Sequence, residues 1–149
     1  MIHSRTRRRT GGFTLMEVLL VLVILAVLAS LAVFAYQKTQ RRANMNAAKA
    51  QVGLLRTPLQ AYQLSIGSYP TTAQGLPALR YAPPDLPNPT KWDGPYLESD
   101  VPLDPWDNPF QYISPGIHNP DSFDVWSFGP DGINGTQDDI GNWNQELMP

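Results

Sequence analysis

Three carboxylates lie close together near the C-terminal end of the chain, on a glycine-rich segment. Asp131, Asp138 and Asp139 fall within nine positions, and the glycines around them leave backbone carbonyls free to turn inward. Calcium binds roughly six to eight oxygen ligands in flexible geometry and accepts carboxylates mixed with carbonyls. The segment therefore has the donor chemistry of a calcium loop, although a solvated acidic turn would have the same composition.

The spacing of these acids is not that of an EF-hand. Counted from Asp131, the twelfth position is Asn142, where an EF-hand requires a bidentate glutamate. Magnesium suits the segment less well than calcium, because magnesium dehydrates reluctantly and prefers a rigid octahedron.

The sequence has few residues that could form other kinds of functional site. The chain has no cysteine and only two histidines, His3 and His118, which excludes disulfides and multi-histidine metal sites. No Ser/His/Asp arrangement, paired catalytic carboxylates or phosphate-binding loop stands out. We therefore expect a protein that is not an enzyme.

An apolar run near the N-terminus is long enough to cross a bilayer. Val18–Ala35 is an 18-residue stretch without charge, and as a helix it would extend about 27 Å. A secretory signal peptide cleaved before Tyr36 is the alternative. Glu17 at the mouth of the run and the length of the run both argue against that alternative.

Charge is divided unevenly along the chain. Residues 1–84 hold 10 of the 11 Lys and Arg residues but one of the 13 acids, whereas residues 85–149 hold the other 12 acids. This asymmetry predicts two parts in different surroundings. The acidic C-terminal part is unsuited to binding nucleic acid.

Helical periodicity continues beyond the apolar run. Apolar residues recur at alternating spacings of four and three, which predicts one helix from about Thr14 to Ser65 lying against a globular head. Pro58 interrupts the stripe and predicts a bend or break near Arg56 and Thr57. The members of the stripe are Ala48, Val52, Leu55, Leu59, Tyr62 and Ile66.

The head, residues 66–149, is rich in proline and turns and offers two short strand candidates, Phe110–Ile113 and Phe123–Phe128. We predict an α+β fold in which the long N-terminal helix, partly transmembrane over about residues 13–36, packs on a small antiparallel β-sheet head.

The N-terminus resembles the leader and helix of type IV pilins and pseudopilins, on the sequence RRRTGGFTLMEVLLVLVILAVLASLA. The resemblance implies that a prepilin peptidase removes residues 1–12 by cleaving after Gly12 and methylates Phe13. Residues 13–65 would then form the helix of a pilin-like fold and residues 66–149 its periplasmic head.

Glu17 would become the fifth residue of the processed chain, where this family keeps a glutamate. A carboxylate at the edge of a bilayer core needs a partner. It would pair with the α-amino group of Phe13, in its own chain or in a neighbouring subunit, and so set the register between subunits. The simpler interpretation is a first-turn acid stabilised by the helix dipole.

Several head segments are similar to the major pseudopilins of type II secretion systems. They are Tyr69–Leu76 (YPTTAQGL), Trp92–Leu97 (WDGPYL), Asp104–Tyr112 (DPWDNPFQY), Phe123–Gly132 (FDVWSFGPDG) and Asp138–Trp143 (DDIGNW). Together with the leader they cover most of the chain.

This resemblance implies one calcium ion in the C-terminal loop. Carried over by position, Asp131 and Asp138 would be the side-chain ligands, with Asp139 next, and the carbonyls of Phe128 and Thr136 would complete the shell.

The resemblance also implies a function. The chain would be the major structural subunit of a type II secretion pseudopilus, stored in the bacterial inner membrane and assembled into a helical periplasmic filament that drives export of folded proteins. Its partners would be other copies of itself, minor pseudopilins, prepilin peptidase and the inner-membrane assembly platform. The alternatives are a type IV pilin of a surface pilus, used for adhesion, motility or DNA uptake, and a secreted calcium-binding domain.

Overall fold

A computed structural model describes residues 12–143, with the side chains of residues 31–35 left out. One helix, α1, runs from Leu15 to Ile66, which confirms the predicted helix to within a residue at each end. The chain divides into two compact units, residues 1–40 and 41–149.

The first unit contains the start of α1. Thr14 caps this helix, because its side-chain oxygen accepts a hydrogen bond from the Glu17 amide at 3.2 Å. Large apolar side chains of this unit are exposed, among them Phe13 at 83% and Leu15 at 79%.

The predicted membrane span over residues 13–36 falls partly on side chains outside the described set, those of residues 31–35. Among the residues that are described, no helix is both long and apolar enough to traverse a membrane.

In the second unit, the C-terminal part of α1 forms one wall of the hydrophobic core. The stripe predicted from the sequence is buried at Val52, Leu55, Leu59 and Tyr62, each at most 4% exposed. It packs against residues of the head: Leu76, Ala78, Leu79, Leu86, Phe110, Phe123 and Val125.

Pro58 lies inside α1, and the helix continues through it to Ile66. The helix therefore does not break at Pro58, contrary to one of the two predicted outcomes. Proline removes one backbone hydrogen bond, but Pro58 is itself buried, and Leu55 and Leu59 beside it belong to the core. Packing of this face stabilises the helix more than the proline destabilises it.

Short elements follow the helix in the head. Two 3₁₀ helices, Leu76–Leu79 and Pro89–Lys91, come first. Strand β1 spans Gln111–Ile113, β2 spans Asp124–Ser127 and β3 spans Ile140–Gly141. A third 3₁₀ helix, Gly129–Asp131, lies between β2 and β3.

The three strands form an antiparallel sheet in the order β1-β2-β3. In the register, Tyr112 faces Val125 and Ser127 faces Ile140. Both predicted strands are confirmed, with slightly narrower bounds, and the α+β architecture is confirmed with them. Strand β3 was not predicted, because two residues are too few to show an alternating pattern.

Candidate functional site

The predicted calcium loop is the connection between β2 and β3, residues 128–139. Pairing of Ser127 with Ile140 closes its base. Gly129 has φ of 70°, and a Cβ added to it would lie 2.2 Å from the carbonyl oxygen of Asp138. The two ends of the loop therefore meet backbone to backbone, which requires glycine at position 129.

The three predicted acidic ligands each have a different partner. Asp131 is exposed, and its Oδ1 accepts a hydrogen bond from the Ile133 amide at 3.0 Å. The half-buried Asp139 accepts one from the Gly135 amide at 2.8 Å through Oδ2, while its Oδ1 is shielded from solvent. Each carboxylate thus stabilises a local turn.

Asp138 is the acid that reaches outside the loop. Its Oδ2 lies 3.5 Å from Nη2 of Arg41 on α1. This ion pair connects residues 97 positions apart in the sequence and joins the loop to the helix.

The predicted carbonyl ligands are those of Phe128 and Thr136, both in the same loop. Phe128 immediately follows β2, and the Thr136 carbonyl accepts a 3.4 Å hydrogen bond from the Asp139 amide. Within residues 12–143, no group of three or more His, Asp or Glu side chains is positioned to hold one metal ion together.

The donor set of the loop nevertheless fits calcium in its chemistry. It offers carboxylate and carbonyl oxygens without nitrogen or sulfur ligands, and the left-handed glycines Gly132 and Gly135 let the backbone turn sharply. Calcium tolerates irregular oxygen coordination, whereas magnesium and zinc do not. The loop is therefore a candidate calcium site.

The carboxylate of Asp124 accepts several hydrogen bonds inside the head, a structural role that the sequence did not reveal. The residue is 1% exposed. Oδ2 accepts the amides of Ile117 and His118, both at 2.7 Å, and Oδ1 accepts the amide of Asn119 at 3.1 Å and its side-chain nitrogen at 2.7 Å. The carboxylate holds the residue 116–119 turn against β2.

The pKa of Asp124 reflects two opposing effects. Burial raises the pKa, but hydrogen bonds from His118, Asn119 and Ile117 favour the charged form and hold the pKa below the ordinary value of 3.8. Asp124 is therefore charged at neutral pH. Its surroundings leave no space for a side chain at Gly116, where a Cβ would lie 2.6 Å from Oδ1.

Asp104 plays a similar part at the other end of β2. It is 3% exposed and accepts the amides of Trp106 and Asn108 at 3.0 and 2.8 Å. The Ser127 hydroxyl at the end of β2 donates to its other oxygen. A signal in the sequence could have revealed this anchor, because Asp followed by Pro and Asn in a short loop is typical of side-chain-stabilised turns.

Aromatic rings form a cluster around Trp143, two residues after β3. The His118 ring stacks on Trp143 with ring centres 3.9 Å apart, and its Nδ1 lies 3.2 Å from Asp124 Oδ2. Trp126 approaches Trp143 at 5.9 Å and donates a hydrogen bond to the Asn134 side chain at 3.1 Å. Trp126 therefore connects the loop between β2 and β3 to this aromatic cluster.

The predicted processing site lies at the start of the described chain. Gly12 and Phe13 precede α1 and are exposed, and Glu17 follows in its first turn. Phe13, Glu17 and Val18 line one shallow hollow. The rest of the predicted leader, residues 1–11, lies outside the described residues.

A long N-terminal helix that carries a small antiparallel sheet, closed by a C-terminal loop, is the architecture of pilin-like subunits. Two family models match successive parts of the chain: the prokaryotic N-terminal methylation motif matches residues 7–33, and type II secretion system (T2SS), protein G matches residues 35–143. The chain belongs to the type II secretion system protein G family.

Individual relatives agree with this assignment. The type II secretion system core protein G of Aeromonas hydrophila is 45% identical over 139 residues, covering 93% of this chain and 95% of the relative. The core protein G of Pseudomonas aeruginosa is 40% identical over 143 residues, covering 93% and 98%.

A solved structure shows the same fold. The crystal structure of the major pseudopilin from the type 2 secretion system of enterohaemorrhagic Escherichia coli superposes with a TM-score of 0.63 at 36% identity, covering 72% of this chain and 93% of that chain. The resemblance to major pseudopilins inferred from the sequence is thereby confirmed.

Proposed function

We propose that this chain is a major structural subunit of a type II secretion pseudopilus, which polymerises in the periplasm to drive export of folded proteins. The observation that carries the proposal is the order of the two family matches on one chain, a methylation motif followed directly by a protein G head. The subunit acts by assembly and not by catalysis.

Processing prepares the subunit for assembly. A prepilin peptidase cleaves between Gly12 and Phe13 and methylates the new amino group. Both residues are exposed and precede the first turn of α1, so the peptide bond between them is accessible. The cut leaves the apolar residues that begin α1 in the mature protein.

The processed helix anchors the subunit in the inner membrane, with the head in the periplasm, until the assembly platform extracts it. Exposure of Leu15, Met16 and the following apolar side chains supports this role, because such a surface needs lipid or neighbouring helices as cover. Glu17 lies one turn from Phe13, where the free α-amino group of a processed subunit could pair with its carboxylate. Minor pseudopilins complete the filament.

Calcium stabilises the loop between β2 and β3. Asp131 and Asp138 supply the side-chain oxygens, followed by Asp139, and the carbonyls of Phe128 and Thr136 complete the shell. The ion would relieve repulsion among the carboxylates, and part of its binding free energy would appear as stability of the loop. The support is the all-oxygen donor set on a loop whose base is closed by β2 and β3.

The alternative functions have less support. Both the family match and the relatives name type II secretion, and neither favours a pilin of a surface pilus. A secreted calcium-binding domain would require signal-peptidase cleavage before Tyr36, in the middle of α1.

The first test is the intact mass and N-terminal sequence of the protein recovered from membranes of a host that has a prepilin peptidase. We expect a chain that starts at N-methylated Phe13. Gly12→Val should block this cut, and Gly11→Val, one residue away, is the matched control. A chain that starts at Tyr36 would overturn the proposal.

A further inference from the structure

The ion pair between Arg41 and Asp138 places a fixed positive charge at the calcium loop. Arg41 lies on α1 and its side chain is 64% exposed, while that of Asp138 is 38% exposed. The guanidinium nitrogen lies 3.5 Å from Oδ2 of Asp138. Arg41 is therefore a cation of the helix that reaches one of the acids proposed as calcium ligands.

A guanidinium and a calcium ion compete for the oxygens of one carboxylate. Both are cations that seek the same oxygens, and two cations within a few ångströms repel each other. Any calcium ion that binds through Asp138 must either displace the guanidinium or bind beside it at reduced affinity.

We propose that Arg41 is an internal competitor of calcium at Asp138, an inference that rests on the calcium site proposed above. In the metal-free protein the guanidinium neutralises part of the acidic loop and ties it to α1. When calcium binds, Asp138 turns to the ion and Arg41 is released toward solvent. Calcium binding thereby exposes the positive charge of Arg41 on the helix. Arg41 lies 97 positions from Asp138 in the sequence.

A neighbouring residue provides a matched control. Arg42 is also exposed on α1, and within the described part of the chain it makes no ion pair with the loop. Replacing Arg42 changes the net charge by the same amount as replacing Arg41 but removes no contact with Asp138. The difference between the two variants isolates the competition from a general charge effect.

The experiment is isothermal titration of calcium chloride into the full chain in detergent, for the wild type and for Arg41→Gln, Arg42→Gln and Arg41→Lys. We expect Arg41→Gln to bind calcium on the order of fivefold more tightly than Arg42→Gln, because it alone removes the competing charge from the site. Arg41→Lys keeps that charge and should stay close to the wild type. The gain should shrink as salt is raised from low ionic strength to about 0.5 M, since exposed charges are screened.

Combination with Asp138→Asn tests the proposed partner. If Arg41 acts through Asp138, adding Arg41→Gln to Asp138→Asn should give less tightening than it gives in the wild type. Full tightening in that background would overturn the assignment of Asp138 as the contested ligand.

Other outcomes separate this inference from the calcium proposal. If the wild type binds calcium and Arg41→Gln binds like Arg42→Gln, the competition is overturned while the calcium site stands. Weaker binding by Arg41→Gln would also overturn it and would make Arg41 a positioning residue for Asp138. If the wild type does not bind calcium, the calcium site fails and the competition fails with it.

Discussion

Two groups of carboxylates lie in or near strand β2, and the protein uses them in opposite ways. Asp104 and Asp124 are at most 3% exposed and accept several hydrogen bonds each from neighbouring turns. The loop acids Asp131, Asp138 and Asp139 are exposed or half-buried, and their contacts include a loop amide, for Asp131 and Asp139, and Arg41, for Asp138.

This difference separates structural carboxylates from candidate ligands. A buried carboxylate saturated by amides is already stabilised and has no oxygen to offer an ion. An exposed or half-buried carboxylate, such as that of Asp131 or Asp138, can exchange a local contact for a metal ion at smaller loss. Acidity alone does not distinguish the two groups, because both contain aspartates that lie in β2 or in loops close to it.

The largest expected effect is at the buried group. Asp124→Ala should lower the free energy of unfolding by about 4 kcal/mol, because it leaves the amides of Ile117, His118 and Asn119 without their buried acceptor. Urea denaturation followed by circular dichroism measures this. The control is Asp121→Ala, an exposed acid three residues away, which should change the stability by less than about 0.5 kcal/mol. Equal effects of the two changes would show that Asp124 is not an anchor.

The same carboxylate predicts how stability depends on pH. The pKa of Asp124 is lower in the folded protein than the ordinary value of 3.8, so its contribution is fully present above that value and is lost as pH falls through the folded pKa. Wild-type stability should therefore fall more steeply in acid than that of Asp124→Asn. Parallel pH profiles for the two proteins would contradict this expectation.

The next effect is expected where the loop closes on itself. Gly129→Ala should cost about 3 kcal/mol, since the new Cβ would collide with the Asp138 carbonyl and position 129 has a left-handed backbone. Gly135→Ala is the control for backbone strain alone, because Gly135 also has a left-handed backbone, with φ of 84°, but an added Cβ would have nothing within 4 Å. It should cost about 1 kcal/mol. Thermal unfolding of both variants separates the collision from the backbone strain.

The smallest effect without metal is expected at the loop acids. Asp131→Ala in the presence of a chelator should change stability by less than about 1 kcal/mol, because it removes one exposed hydrogen bond. With calcium added, the wild type should melt at a higher temperature and the variant should gain much less.

In cells, Asp131→Ala should weaken fibre assembly without preventing membrane insertion. Electron microscopy of fibres and fractionation of membranes measure these two properties. Normal fibres in that variant under calcium chelation would exclude the proposed role of the ion.

The sequence predicted the regular parts of the molecule well. The alternating stripe at Val52, Leu55 and Leu59 is a local pattern with a helical period, so the face that enters the core could be deduced without knowing its partner. The strands around Tyr112 and Val125 followed from β-branched and aromatic residues between turns. The family of the protein was also apparent from its motifs.

Pro58 shows where a local rule could not decide between a bend and a break. A proline predicts a bend or a break, but whether the helix breaks depends on how much its flanking residues gain by packing, and that gain comes from residues distant in sequence. Strand β3 is similar, because a two-residue element forms only when β2 is there to pair with it.

The sequence by itself determined the long helix, the core face, the acidic loop and the processing motif, since each depends on residue types at short spacing. Only the tertiary structure decided which acids are buried anchors and which are available to a metal. It also decided that Arg41 meets Asp138. Both outcomes depend on amides and cations brought together from distant parts of the chain, and a carboxylate's role is set by those partners more than by its own chemistry.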